Sequence, residues 1–67
     1  MPDFIKKALL DSNLMDKYFK RPPYQQNDYI AWITRAKRQE TIDRRLSQML
    51  IELERGDKYM KMNYKAK

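Results

Sequence analysis

The most regular patterning in the chain lies between residues 39 and 55. Ile42, Leu46, Met49, Leu50 and Leu53 recur at i, i+4, i+7, i+8 and i+11. At 100° per residue all five fall on one side of a helix. Gly56, the single glycine of the chain, follows where a left-handed residue should end that helix. Glu40 precedes Arg44 by four residues, the favourable order for a helical ion pair. A second helix is predicted over residues 24–36. Its buried stripe is Tyr29, Trp32, Ile33 and Ala36, with Ile30 beside it and Asn27, Ala31, Thr34 and Arg35 facing outward. Pro22-Pro23 stops whatever precedes it, and the residue before a proline is pushed out of the helical region. Arg21 and Pro22 are therefore predicted to be extended.

The N-terminal third carries weaker periodicity. Pro2-Asp3 opens a short helix, since proline suits a first turn and an acid there meets the helix dipole. Ile5, Ala8 and Leu9 form its apolar side, with Phe4 alongside, and Asp11-Ser12-Asn13 breaks or caps it. One or two further turns follow over residues 14–20, with Leu14, Met15, Tyr18 and Phe19 as the apolar set. Beyond Gly56 the period changes. Met60-Lys61-Met62-Asn63-Tyr64-Lys65 alternates apolar and polar, the mark of an extended segment. With no other strand candidate, it has no sheet to join within this chain.

These elements predict an all-α fold of three to four short helices. The principal hairpin pairs residues 24–36 with residues 39–55, the Trp32 and Leu46 stripes facing each other. Residues 1–56 form a single small helical domain and residues 57–67 a basic extended tail. A chain of 67 residues buries only about 60% of the surface its unfolded form exposes. Small domains of this size lean on disulfides, metals or partners. With no cysteine and no histidine, the disulfide and the usual zinc sites are gone, so helix packing or a partner must supply the stability.

The lack of cysteine fits a reducing compartment. No apolar run reaches the roughly 20 residues of a membrane span, and the first residues show no cleavage-site pattern. The expected location is cytoplasmic. The net charge of +6 is unevenly spread. Residues 35–45 hold five bases against Glu40 and Asp43, and residues 56–67 hold four lysines against Asp57. Acids within the first zone weigh against a dedicated polyanion channel.

Without His or Cys the common nucleophile and base pairs are missing. Glu40 and Asp43 share a turn with Arg44 and Arg45, an arrangement that suits ion pairing better than acid–base work. No loop carries the acidic spacing of a calcium site. The expectation is a non-enzyme with no cofactor and no metal. Binding is the remaining role. The polar margin of the junction, Arg35, Lys37 and Arg38, together with Arg44, Gln48 and Arg55, offers a basic surface. Ile51 points away from the apolar stripe and suits a partner or a second copy of the chain. Tyr59, Met60 and Met62 either fold back on the helices or present a contact surface, including a strand that adds to a partner's sheet. A nucleic-acid reading competes, because two helices joined by a short turn with outward Arg44, Gln48 and Arg55 resemble a helix-turn-helix. Aromatic and basic side chains would also suit single-strand stacking. Against it, the junction lacks the glycine often found in that turn, and Trp32 and Tyr29 are needed for the core.

One further pattern is specific. Leu14-Met15-Asp16-Lys17-Tyr18, the run from Arg21-Pro22-Pro23-Tyr24-Gln25-Gln26-Asn27-Asp28-Tyr29 through Ile30-Ala31-Trp32-Ile33, then Arg35-Ala36-Lys37-Arg38-Gln39-Glu40-Thr41, Arg44-Arg45-Leu46 and Gly56-Asp57-Lys58-Tyr59-Met60 follow in fixed spacing. Together they resemble the bacterial YdeI/OmpD-associated, or bacteriocin-protection, family over residues 9–64. Gln39, Ala31, Lys61 and Asn63 depart from it, standing where many relatives carry proline, glycine, glycine and proline. The resemblance implies a small helical region, alone or after another domain, with no family-wide enzyme chemistry or cofactor. It also implies a protein-interaction module linked to antimicrobial-peptide resistance or envelope stress. The family name reflects association with an outer-membrane porin, a partner that fits poorly with a cytoplasmic chain.

Overall fold

In the computed structural model, residues 1–56, 58–60, 62 and 63 are described; of Lys58, Met62 and Asn63 this covers the backbone alone. Among these residues four helices follow one another, α1 (Asp3–Asp11), α2 (Met15–Lys20), α3 (Pro23–Thr34) and α4 (Gln39–Arg55). The fold is all-α, as the periodicity predicts. Two two-residue strands, β1 (Lys58–Tyr59) and β2 (Met62–Asn63), pair antiparallel, Lys58 opposite Asn63 and Tyr59 opposite Met62. The expectation that the alternating segment has no partner within the chain is thus corrected. It turns back on β1, with Met60 at a positive φ of 50°.

Each helix boundary has a local cause. α1 ends in a Schellman motif. Asn13 takes the left-handed conformation, φ 58°. Its N–H donates to the Leu10 carbonyl (3.2 Å), and the Leu14 N–H reaches back to the Leu9 carbonyl (2.9 Å). Leu9 and Leu14, the pair this motif brings together, both enter the core. Ser12 adds its hydroxyl to the Ala8 carbonyl at 2.6 Å. Arg21 and Pro22 are extended, with ψ 149° and 148°, and Pro23 occupies the first helical position of α3, where a missing N–H costs nothing. Gln26 then ties α3 to the end of α2, donating to the Arg21 carbonyl at 2.7 Å and the Phe19 carbonyl at 3.3 Å.

α3 stops at Thr34, two residues before the expected end. Arg45 of α4 caps that end: its guanidinium donates to the Trp32 carbonyl at 2.6 Å, an acceptor that the last turn leaves open. The same cation lies 5.2 Å from the Trp32 ring centroid. α4 begins and ends where its stripe predicts. Gly56 terminates it at φ 78°, its N–H on the Glu52 carbonyl at 2.9 Å. A Cβ at Gly56 would meet open space, so Gly56→Ala should cost about 1 kcal/mol through backbone strain alone. A urea titration checks this, and an unchanged midpoint would contradict it.

The core joins Ile5 and Leu9 of α1, Leu14, Tyr18 of α2, Tyr29 and Ile33 of α3, and Met49 and Leu53 of α4. Ile42, Leu46 and Leu50 pack against it as the stripe predicts, along with Ile30. Three details depart from expectation. Phe19 is exposed. Trp32 is half-buried, its ring shared with Arg45. Glu40 lies 3.8 Å from Arg38 rather than pairing with Arg44, and both side chains are exposed, so the pair contributes little.

Candidate functional site

The interior holds three polar side chains that the apolar periodicity does not mark: Arg21, Gln25 and Glu52, all buried. Gln25 and Tyr29 are spaced i and i+4 on α3, so one file carries both towards α4, and Arg21 joins them from the extended link between α2 and α3. On α4, Arg45, Gln48 and Glu52 form a polar flank beside the apolar stripe. The two sets meet around the Glu52 carboxylate. Tyr29 donates its hydroxyl to Glu52 Oε1 at 2.5 Å, and the Met60 N–H donates to the same oxygen at 2.8 Å. Gln48 Nε2 donates to Glu52 Oε2 at 3.0 Å. Arg21 spans the cluster, one terminal nitrogen donating to Gln25 Oε1 (3.2 Å) and the other to the Glu52 backbone carbonyl (3.0 Å). Gln25 Nε2 donates onward to the Tyr24 hydroxyl at 3.0 Å. Among the described residues no buried side-chain nitrogen or oxygen lacks a partner. A network this complete is what makes the burial of a carboxylate and a guanidinium tolerable.

Tyr59 closes the cluster from the tail. Its hydroxyl donates to Asp28 Oδ2. Its ring stands edge-on to Tyr29 (centroids 5.5 Å apart, 87°) and to Tyr24 (6.1 Å, 83°). Burial, then the hydrogen bond to Glu52, pushes the Tyr29 hydroxyl well above the ordinary tyrosine value. Burial and Asp28 do the same to Tyr59, and burial raises Tyr18. These hydroxyls therefore remain donors rather than bases at neutral pH.

A stability consequence follows from that direction. The folded hydroxyls hold their protons where unfolded tyrosines, titrating near 10.0, lose theirs. Their contribution is thus fully present below about pH 10 and declines as pH rises beyond it. The urea midpoint should fall above about pH 10, and less steeply in Tyr29→Phe. Identical slopes in the two proteins would contradict the assignment.

The expected partner-binding residues divide into two groups. Arg35, Lys37 and Arg38 are exposed around the α3–α4 junction, and Arg44, Ile51 and Arg55 are exposed on α4. Gln48, expected to point outward, is corrected: it is half-buried and serves Glu52. Tyr59 and Met60 are half-buried against the helices, the folded-back alternative. The side chain of Met62 lies outside the described residues. Trp32 and Tyr29 do not join the exposed bases to form a stacking platform. A cavity of about 260 Å³ opens at the α1–α2 turn, lined by Leu9, Leu10, Asn13, Met15 and Asp16; none of the expected binding residues lines it. No cluster of metal-ligating side chains occurs among the described residues, and no helix there is long and apolar enough to cross a membrane.

Sequence reasoning missed Arg21, Gln25, Glu52 and Arg45. The i, i+4 spacing of Gln25 and Tyr29 was the available signal; Arg21 lies ahead of the proline pair, where no helical phase applies.

Four short helices, a dominant α3–α4 hairpin and a polar cross-link at its open end define a small helical-hairpin domain. Residues 1–56 match the family described as bacteriocin-protection, YdeI or OmpD-associated (OmdA). The chain belongs to that family. The match reaches nearer the N-terminus than the resemblance over residues 9–64 and stops at Gly56, before the tail. No curated protein and no solved structure matches the chain.

Proposed function

We propose that this chain is a non-enzymatic protein-interaction module of the bacteriocin-protection family, acting in the bacterial cytoplasm in antimicrobial-peptide resistance or envelope stress. The observation that carries this reading is the outer face of α4. Ile51 is 57% exposed, and Arg44 and Arg55 at i−7 and i+4 are exposed with it. Ile51 plays no part in the core, whereas Arg21, Gln25 and Glu52 are engaged in hydrogen bonds inside the fold. An apolar side chain flanked along the helix by Arg44 and Arg55, with exposed Glu54 at i+3 among them, suits a partner surface with an apolar centre and a charged margin. Arg35, Lys37 and Arg38 extend the basic margin to the junction.

Affinity capture from a bacterial lysate, with and without nuclease, tests this against nucleic-acid binding. Protein partners should survive nuclease and disappear with Ile51→Asp. That substitution should alter folding stability by no more than about 0.5 kcal/mol, as for other surface positions. Capture that depends on nucleic acid, or that ignores Ile51→Asp, would overturn the proposal. Substrate turnover by the purified chain would do so as well.

A further inference from the structure

The helices build a notch that the tail fills. Its walls are Tyr24, Asp28 and Tyr29 of α3, and its floor is the Glu52 carboxylate. Two elements of the tail enter it. The Tyr59 ring sits edge-on between Tyr24 and Tyr29 with its hydroxyl on Asp28, and the next backbone N–H, that of Met60, donates to Glu52 Oε1 at 2.8 Å. A turn is held here by one aromatic anchor, one side-chain hydrogen bond and one main-chain hydrogen bond, the kinds of contact by which a peptide site holds its ligand. The occupant is joined to the helices only through Gly56, a left-handed residue with open space about it.

We propose that this notch is a peptide-recognition site and that Tyr59–Met60 is its built-in competitor. The ligand is a basic segment that turns directly after a tyrosine, as the tail does with Met60 at φ 50°, and presents the backbone N–H of the residue after that tyrosine. Tyrosine is favoured over phenylalanine by Asp28, and basic character is favoured chiefly by Asp28, since the charge of Glu52 is offset by Arg21 beside it. The tail itself has that composition, with Lys58 and Lys61 flanking Tyr59-Met60. This site is separate from the Ile51 face, and neither depends on the other.

Tethering sets the competition. A segment linked by so short a connection is present at an effective concentration in the millimolar range. A free peptide of equal intrinsic affinity therefore binds poorly until the tail is displaced. Met60→Pro displaces it, because proline has no N–H and cannot adopt a φ of 50°. Tyr59→Ala removes the anchor by an independent route.

The probe is a fluorescent peptide of residues 57–67, titrated by anisotropy into the full-length chain. Wild type should show no binding at about 100 μM, well under the tethered concentration. Met60→Pro and Tyr59→Ala should each bind it saturably while keeping the helical circular dichroism of wild type. Replacing the peptide's Tyr59 with Phe should weaken binding about tenfold, the worth of a hydrogen bond to a charged group. Asp28→Asn in the Tyr59→Ala chain should do the same. The proposal is overturned if neither helical variant binds the peptide, or if a peptide with Tyr59→Ala binds as well as the native one. Where Met60→Pro lacks helix, Tyr59→Ala alone decides.

Discussion

Glu52→Ala is expected to be among the most destabilising single substitutions in this protein, at about 4 kcal/mol. The carboxylate accepts from Tyr29, Gln48 and Met60, and its own backbone carbonyl accepts from buried Arg21. Truncation strands those three donors. A buried donor without an acceptor costs about 1–3 kcal/mol, and one that reaches water costs less. Tyr29 is fully buried, while Gln48 and Met60 are half-buried, so the loss should come to about 4 kcal/mol. A domain of this length has a total stability of roughly 3–10 kcal/mol. The change therefore removes a large part of it, or all. Glu52→Gln keeps an acceptor at Oε1 and should lose only about 1–2 kcal/mol, the difference between a charged and a neutral partner. Urea titration followed by circular dichroism reads both. A Glu52→Ala protein as stable as Glu52→Gln would show that the carboxylate is not the centre of the cluster.

Tyr29→Ala should be almost as damaging, at about 4 kcal/mol, in the range for truncating a large buried aromatic. The ring is completely enclosed among α3, α4 and the tail, so its removal opens a cavity as well as taking one of the three donors from Glu52. Tyr29→Phe separates the two effects. It keeps the ring, deletes the donor and should cost about 1–2 kcal/mol. Combined with Glu52→Gln, it should cost less than the two single changes added, because both act on one hydrogen bond. Strict additivity would mean the 2.5 Å contact contributes nothing specific.

How legible these elements were depends on where their determinants lie. α4 could be read from the sequence because its apolar period, its length and Gly56 all agree, and each acts locally. The start of α3 is fixed by Pro22-Pro23 in the same way, and the end of α1 by Asn13. The early end of α3 was not legible, since the carbonyl it leaves open is met by Arg45, a residue from another helix. Glu52 and Gln25 were hidden for a related reason. A polar side chain on a helix reads as solvent-facing, and its burial becomes affordable only when partners from distant elements converge. Arg21, placed in a proline-bounded linker, gave no helical phase at all. The candidate surface was partly legible: Ile51, Arg44 and Arg55 face outward as the helical wheel places them, but Gln48 was drawn inward by Glu52.

The polar cluster also bears on why the hairpin has one register. Apolar stripes on α3 and α4 tolerate a slide of one turn, about 5.4 Å, with modest loss. Hydrogen bonds from Tyr29 to Glu52 and from Arg45 to Trp32 do not. Charged groups so placed stabilise less than apolar ones would, yet they penalise every other alignment.

Hydrogen exchange at the Met60 amide tests the Glu52-centred cluster, and the docked tail with it, most directly. In wild type this amide should exchange well below the random-coil rate, held by the Glu52 carboxylate. In Tyr59→Ala it should lose that protection while the α4 amides keep theirs. A Met60 amide that exchanges at the random-coil rate in the folded wild-type protein would contradict the docked tail and the cluster that holds it.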